Sequence, residues 1–178
     1  MSRAAELAAF IGGGSTGKIL QVQRTQFTST NTISLTGLAD TVFTDLTVNI
    51  TPTATSSVFR LDAQIFGEHG LIANAWNHIF FFYRDTTKLG HDAAGDRANG
   101  VSMITQTYSQ ANQNAASTPE CGMYSFFDSP STTSQITYKV GIRARQDGNF
   151  FLNRTLEDND DTYYERGVSF ITATEIAG

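Results

Sequence analysis

The sequence predicts an all-β protein that folds as a single antiparallel β-sandwich. Thr, Ser, Asn, Gly and Phe are abundant and Lys and Glu are few, a balance that suits a pleated sheet better than a helix. Runs of about 6 to 10 residues with strand-like patterns alternate with turn residues, without helix-length patterns between them. About eight such strands make a jelly roll. The predicted strands are residues 19–27, 42–51, 58–66, 75–84, 101–108, 122–127, 135–145, 150–154 and 168–176.

The clearest strand is 135–145, where apolar and polar residues alternate with the period of a strand that has one buried face. The residues expected on its buried face are Ile136, Tyr138, Val140, Ile142 and Ala144. Asp147 and Gly148 follow it, and an Asp-Gly pair favours the positive φ angles of a tight hairpin. We therefore expect residues 150–153 to fold back antiparallel onto this strand.

Another predicted strand is apolar on both faces. Residues 80–83 read Phe-Phe-Phe-Tyr, so neither face of this segment suits water. We expect a central strand that is covered inside by the second sheet and outside by a loop or a neighbouring subunit.

The first residues differ in pattern from the rest of the chain, so we divide it into an arm and linker, residues 1–17, and a sandwich domain, residues 18–178. Leu7, Ala8 and Ile11 lie on one stripe of a predicted short helix, and glycines follow at 12–14. A helix of this length is not stable alone. We expect this arm to attach the protein to another chain; docking on its own sandwich and disorder are the alternatives.

The segment 12–18 has the spacing of a phosphate-binding loop, Gly-x4-Gly-Lys. That loop requires a strand before it and a helix after it, and the helix opens with Ser or Thr. Here a helical pattern precedes the glycines, Ile19 takes the Ser or Thr position, and a strand pattern follows. A flexible linker is the preferred interpretation.

Charge and composition exclude several classes of partner. The net charge is −5, and Lys and Arg form no run that would follow a phosphate backbone, so nucleic acid is not an expected partner. An apolar run long enough to span a membrane is absent from the sequence, so we expect no membrane association. The single cysteine, Cys121, excludes an intrachain disulfide.

We predict no metal, no cofactor and no enzymatic activity. His69, His78 and His91 are isolated in sequence and lack the spacing of a metal-binding motif. The acidic run 157–161 offers oxygen ligands of the kind that calcium prefers. It lacks the glycine of an EF-hand, however, since Tyr163 stands at that position, and a solvated hairpin loop is the alternative.

Aromatic side chains give candidates for contact with a glycan. Trp76, Tyr163 and Tyr164 could stack on the faces of sugar rings. A single tryptophan in a sandwich more often belongs to the core, so both interpretations remain open for Trp76.

Several stretches resemble a group of virion proteins from tailed bacteriophages. These stretches are residues 17–23, 127–140, 151–154 and 169–177. The resemblance extends over nearly all of 17–178, and it departs at Ala173-Thr174, where Leu-Met is commoner. It implies a jelly roll related in shape to trimeric head-decoration, fibre-knob and tumour-necrosis-factor-like modules. It provides no catalytic residues and implies a location in the virion.

The leading hypothesis is therefore a non-enzymatic virion structural protein, a capsid-decoration, head-fibre or short tail-fibre component. We expect it to form a homotrimer and to attach through its arm to the major capsid protein or other virion proteins. The alternative hypothesis is a receptor-binding adhesin whose loops recognise glycans on the host surface.

Overall fold

A computed structural model describes residues 17–70, 72–93, 95–104, 117 and 119–178. Within these residues the chain forms ten strands and one short helix. In chain order they are β1 (Ile19–Phe27), β2 (Asn31–Leu35), β3 (Asp40–Ile50), β4 (Val58–His69), α1 (Ile72–Trp76), β5 (His78–Arg84), β6 (Thr87–Leu89), β7 (Glu120–Asp128), β8 (Ile136–Ala144), β9 (Gly148–Leu152) and β10 (Ser169–Ile176).

The strands form two antiparallel sheets that pack face to face, which confirms the predicted β-sandwich. The six-stranded sheet has the order β1-β10-β4-β9-β2, and β7 pairs with the other side of β4. The four-stranded sheet has the order β3-β8-β5-β6. The pairs are nested along the chain: β1 with β10, β2 with β9, β3 with β8, β4 with β7, and β5 with β6.

The core lies between the sheets and is rich in aromatic rings. Phe80 contacts Phe43 and Phe150 edge-on, with ring centroids 6.0 Å apart in both cases. Burying each such side chain contributes about 1.5 to 3 kcal/mol. The largest fully buried side chains are Tyr138, Phe43, Phe59, Phe80, Phe81, Phe82, Phe150, Leu46, Leu61, Ile65, Ile142 and Leu152.

The sandwich has two distinct ends. At the first, which we call the Gly17 end, the amide of Gly17 donates to the carbonyl of Ala177, and the connections 51–57 and 129–135 lie nearby, beyond the strands that flank them. At the opposite end, which we call the Trp76 end, lie the 36–39 turn, α1 and the 145–147 connection.

The predicted hairpin at Asp147-Gly148 was wrong. β8 pairs with β3 and β5 in one sheet, whereas β9 pairs with β2 and β4 in the other. Residues 145–147 therefore cross between the sheets, and Gly148 does not adopt the positive φ that the hairpin needs. In the six-stranded sheet, Phe150 and Phe151 of β9 are buried. A two-stranded hairpin with β8 would cover them less.

Other boundaries also changed. The predicted strand 75–84 begins at His78, because Ala75 and Trp76 belong to α1. In the predicted strand 101–108, the described part makes only an isolated bridge from Ser102 to Phe80, and 105–108 lies outside the described residues. Two strands were not predicted: β2 is short, and β6 has only three residues.

The strand with two apolar faces is central, as predicted, but its outer face is covered by its own chain. Phe81 is fully buried, with the ammonium of Lys88 3.8 Å from its ring centroid and Tyr83 edge-on at 5.4 Å. Gly141 on the neighbouring strand leaves room for the ring, since a Cβ there would collide with it. The outer aromatic face therefore needs no second subunit to cover it.

In the part of the chain that the structure describes, no helix has the length and apolar character required to span a membrane. The arm residues Leu7, Ala8 and Ile11 lie outside the described residues. Of the glycine-rich segment, Gly17 and Lys18 are described, and they lead directly into β1, as the linker interpretation expects.

Candidate functional site

The predicted glycan residues fall into two separate places. Trp76 ends α1 with 58% of its surface exposed, so it is not a core residue. Tyr163 and Tyr164 lie in the 153–168 segment between β9 and β10. Trp76 and Tyr164 line different pockets, so the structure does not combine them into one site.

Asn74 fixes the position of α1. It is fully buried, its amide donates to the carbonyl of Gln146 at 2.8 Å, and its side-chain oxygen accepts from the Gln146 amide at 2.9 Å. Asn77 adds a bond from its side chain to the carbonyl of Ala73 at 3.1 Å. Because Gln146 follows Arg145, this reciprocal pair places α1 and the end of β8 in a fixed relation.

Trp76 borders a cavity of about 340 Å³ at its end of the sandwich, which is at the small end of the range for ligand pockets. We call it the Trp76 pocket. Its walls come from Leu38 in the 36–39 turn, from the end of α1 and the start of β5, from the 95–104 segment and from the end of β8. The lining residues are Leu38, Trp76, Asn77, His78, Ile79, Asp96, Ala98, Met103, Arg143, Ala144 and Arg145.

Arg143 and Arg145 bring positive charge to the pocket. Among the arginines that the structure describes, these two have guanidinium groups without a hydrogen bond, an ion pair or a ring contact. The Nε atom of Arg143 is moreover buried without a partner. The two residues line the pocket with no competing partner among the described residues, so their guanidinium groups are available to an anionic ligand.

Leu38 lies on the rim of the pocket with an unfavourable backbone conformation. Its φ is +61°, in the left-handed region that costs a leucine about 1 kcal/mol or more, and 65% of its surface is exposed. The turn keeps this conformation because the Leu38 amide donates to the carbonyl of Ala144 at 2.8 Å. Its exposed side chain gives the rim of the pocket an apolar surface.

Behind the pocket lies a buried histidine pair. His78 is held neutral, because Nδ1 lies 2.8 Å from the carbonyl of Asn74 while Nε2 accepts the Ile104 amide at 3.0 Å. Burial lowers the pKa of His78, although the bond to Asn74 acts against this. His69 stacks on it at 4.5 Å, and neither ring nitrogen of His69 has a partner. Burial is the main reason why the pKa of His69 lies well below its usual value, and the repulsion that a protonated His78 would exert acts in the same direction.

The acidic run lines a second pocket, but two of its carboxylates already have partners within the same segment. Arg166 donates two hydrogen bonds of 2.8 Å to Asp158, and this contact lowers the pKa of that carboxyl. The Tyr164 hydroxyl donates to Glu157 at 2.8 Å. Over the described residues, no group of three or more His, Cys, Asp or Glu side chains is arranged to hold a metal ion.

The outer face of the six-stranded sheet is a further candidate surface. Two of its edge strands, β1 and β7, expose apolar side chains, among them Met123 at 69% and Phe127 at 59%. In register across the sheet, Val22 on β1 is followed by Thr174, Arg60 and then Phe127 on β7. The face is therefore apolar at both edges and polar in the middle. We call Ile19, Leu20 and Val22 the β1 edge, and Met123 and Phe127 the β7 edge.

Sequence reasoning found Trp76 but missed Arg143, Arg145 and Leu38. A signal for the arginines was present, because they are two residues apart at the end of the best-predicted strand and alternate with its buried residues. Leu38 had no such signal, since its role depends on a turn conformation. Comparison with the models of known protein families and with curated proteins gives no match for this sequence.

Proposed function

We propose that this protein is a non-enzymatic structural component of a tailed-bacteriophage virion, a capsid-decoration, head-fibre or short tail-fibre subunit that assembles as a homotrimer. The resemblance of four stretches to such virion proteins suggests the setting. The exposed apolar edges of the six-stranded sheet support the assembly.

The strand pairing supports a jelly roll. The structure contains five nested antiparallel pairs, from β1 with β10 to β5 with β6. Rolling one long hairpin into two sheets gives this pattern. A jelly roll has eight strands in two Greek keys, and here β2 and β9 add a fifth pair. This fold is used by many capsid proteins, although fold alone does not fix function.

The observation that carries the trimer is the presence of two different apolar edges on one sheet. A cyclic trimer requires a head-to-tail contact, in which one patch of each copy meets a different patch of the next. The β7 edge and the β1 edge provide such a pair. Their separation by a polar strip that includes the ion pair of Arg60 with Asp62 at 2.9 Å favours edge contacts over stacking of whole faces.

The position of Gly17 supports attachment through the N-terminal arm. The chain enters the sandwich beside Ala177, at the end opposite the Trp76 pocket. An arm bound at this end to the major capsid protein, or to another virion protein, would leave the Trp76 end facing outward.

Native mass spectrometry of the full chain tests the trimer. We expect a trimer at micromolar concentration and a shift to monomer in Phe127→Lys and in Val22→Lys, because a charge would then be buried in the contact. Thr87→Lys is a matched control, since Thr87 is exposed on the other sheet, and it should remain trimeric. A wild-type chain that is cleanly monomeric would refute the trimer.

The arm is tested separately in particles. Deletion of residues 1–14 should abolish incorporation while the circular dichroism spectrum of the sandwich stays unchanged. Normal incorporation of the shortened protein would contradict attachment through the arm.

A second function, recognition of host surface glycans, is favoured by one specific observation. A pocket with a half-exposed tryptophan lies at the end of the sandwich that is farthest from the entry of the arm. An adhesin needs its binding site at that end. The two functions are compatible in a fibre or decoration protein.

A further inference from the structure

We propose that the Trp76 pocket binds a carboxylated sugar, with the indole of Trp76 stacked on the sugar ring and the guanidinium groups of Arg143 and Arg145 holding the carboxylate. This inference deepens the second proposed function, glycan recognition, and rests on it. It does not depend on the trimer or on the arm.

The indole provides the face for the ring. One side of a pyranose is lined by C–H groups and packs well on an aromatic surface, and a tryptophan offers the largest such surface. Trp76 is exposed enough to do this, and Asn74 fixes its helix rigidly against Gln146. A rigid, exposed aromatic face loses little conformational freedom when a ligand binds.

The arginines determine the charge of the ligand. A guanidinium group recognises a carboxylate through two parallel hydrogen bonds. Arg143 and Arg145 have no competing partner in the described structure, and the Nε of Arg143 is buried without an acceptor. In a chain with a net charge of −5, most other described arginines are neutralised or stacked, so this pocket concentrates unpaired positive charge.

The remaining walls fit a sugar better than a simple anion. Leu38 and Met103 are exposed apolar side chains on the lining, and they would contact the non-polar parts of a ring. Asp96 and Asn77 also line the pocket and can bond to hydroxyl groups. A small inorganic anion would use the arginines alone and would leave the indole and these groups without a role.

Fluorescence offers a direct test, because Trp76 is the only tryptophan of the chain. The full-length protein is titrated with sialyllactose and with glucuronic acid, up to about 10 mM, to detect affinities in the millimolar range. Lactose and glucose are the matched uncharged sugars, and sodium sulfate is the simple anion. We expect saturable fluorescence changes with at least one carboxylated sugar, and an affinity at least about tenfold weaker for its uncharged counterpart.

Variants then assign the contacts by isothermal titration calorimetry. Arg143→Gln should weaken binding of the carboxylated sugar about tenfold, and Trp76→Ala should abolish it. Arg143→Lys retains the charge and loses the planar fork, so its affinity should be intermediate. Arg60→Gln and Tyr163→Ala are controls, because both residues are exposed outside this pocket, and neither should change the affinity.

Three results would overturn the inference. The first is no saturable response to either carboxylated sugar by a folded protein. The second is equal affinity for charged and uncharged sugars, which would exclude the arginine contact. The third is a response to sulfate that matches the response to the sugars, which would indicate a simple anion site.

These outcomes are separate from those of the virion proposal. A protein that forms trimers and enters particles but fails the titration retains its structural role and loses the ligand. A protein that binds the sugar but is monomeric loses the trimer and keeps the ligand.

Discussion

Two buried polar groups at opposite ends of the sandwich differ in how well they are satisfied. At the Gly17 end, the fully buried Glu175 accepts hydrogen bonds from the Ser57 hydroxyl at 2.5 Å, from the Gln21 amide at 2.6 Å, and from both the backbone and the hydroxyl of Thr53 at 2.7 Å. At the Trp76 end, His69 is almost as buried, and neither of its ring nitrogens has a partner.

This difference indicates which end is built for stability and which end tolerates strain. A fully satisfied buried network rigidifies its surroundings, whereas buried polar groups without partners are unfavourable and call for an explanation. The Glu175 network ties β1, β10 and the 51–57 connection together where the arm enters. The Trp76 end contains the unpartnered His69 and the unpaired Nε of Arg143 next to the proposed ligand pocket. Left-handed residues occur at both ends, Leu38 at this one and Ser131 at the other.

The largest effect is expected when the satisfied network is broken. Glu175→Ala would leave the buried Ser57 hydroxyl and its neighbours without an acceptor, so we expect the free energy of unfolding to fall by about 3 kcal/mol. Urea denaturation followed by circular dichroism measures this. Glu165→Ala removes an exposed carboxylate and should change stability by less than about 0.5 kcal/mol. Equal decreases in the free energy of unfolding for Glu175→Ala and Glu165→Ala would contradict a stabilising role of the Glu175 network.

The second effect is a dependence of stability on pH that arises at the Trp76 end. The pKa values of His69 and His78 are lowered from 6.5 by burial, so the unfolded chain binds protons before the folded one does. Stability is therefore fully present above about pH 6.5 and falls as the pH drops below that value, by roughly 1 to 2 kcal/mol at about pH 5.

His69→Leu tests the origin of this loss. It removes one titrating ring, so the decrease in unfolding free energy between about pH 7.5 and about pH 5 should be smaller than in the wild type. His91→Leu, at an exposed histidine, should keep the wild-type profile. An unchanged profile in His69→Leu would show that the buried ring is not responsible.

At the Gly17 end, we expect the pH dependence of stability to fall in a lower pH range. Burial would raise the pKa of Glu175, but hydrogen bonds from Ser57, Gln21 and Thr53 lower it below its ordinary value of 4.5 overall. Its contribution is therefore present above about pH 4.5 and is lost as the pH falls further. Two separate decreases in the free energy of unfolding as the pH falls would sharpen the comparison. A single decrease below about pH 4.5 would contradict the contribution that is assigned to His69 and His78.

The smallest effect comes from a matched pair of tyrosines. The Tyr138 hydroxyl donates to Asp128 at 2.7 Å, and Arg84 also binds that carboxylate, so Tyr138→Phe should cost about 1 kcal/mol. The Tyr124 hydroxyl is buried without a partner, so Tyr124→Phe should leave stability unchanged or raise it by up to about 1 kcal/mol. Thermal denaturation of both variants measures the difference, and destabilisation by Tyr124→Phe would contradict it.

The sequence predicted strands better than it predicted their pairing. β1 begins and ends where its pattern predicted, and β8 differs by one residue at each end, because alternation within a strand is a local property. The hairpin after Asp147 failed because Asp-Gly permits a tight turn without requiring one, and the burial of Phe150 and Leu152 between the sheets took precedence. Strand β6 was missed because three residues carry no periodicity.

The candidate site was predicted even less completely. An exposed tryptophan and a core tryptophan look alike in a sequence, and only the short helix α1, held by Asn74 on Gln146, decides between them. The pairing of Trp76 with Tyr164 was suggested by residue type alone, and the fold puts them in different pockets.

The sequence by itself determined the all-β class, most strand positions and the acidic character of this protein, because each follows from composition or from contacts between near neighbours. The tertiary structure alone decided that β8 and β9 lie in opposite sheets and that Phe81 is covered by Lys88 and Gly141. It alone also brought Trp76 beside Arg143 and Arg145. These features join residues far apart in the chain, and their positions depend on the burial of the whole core, which no local pattern encodes.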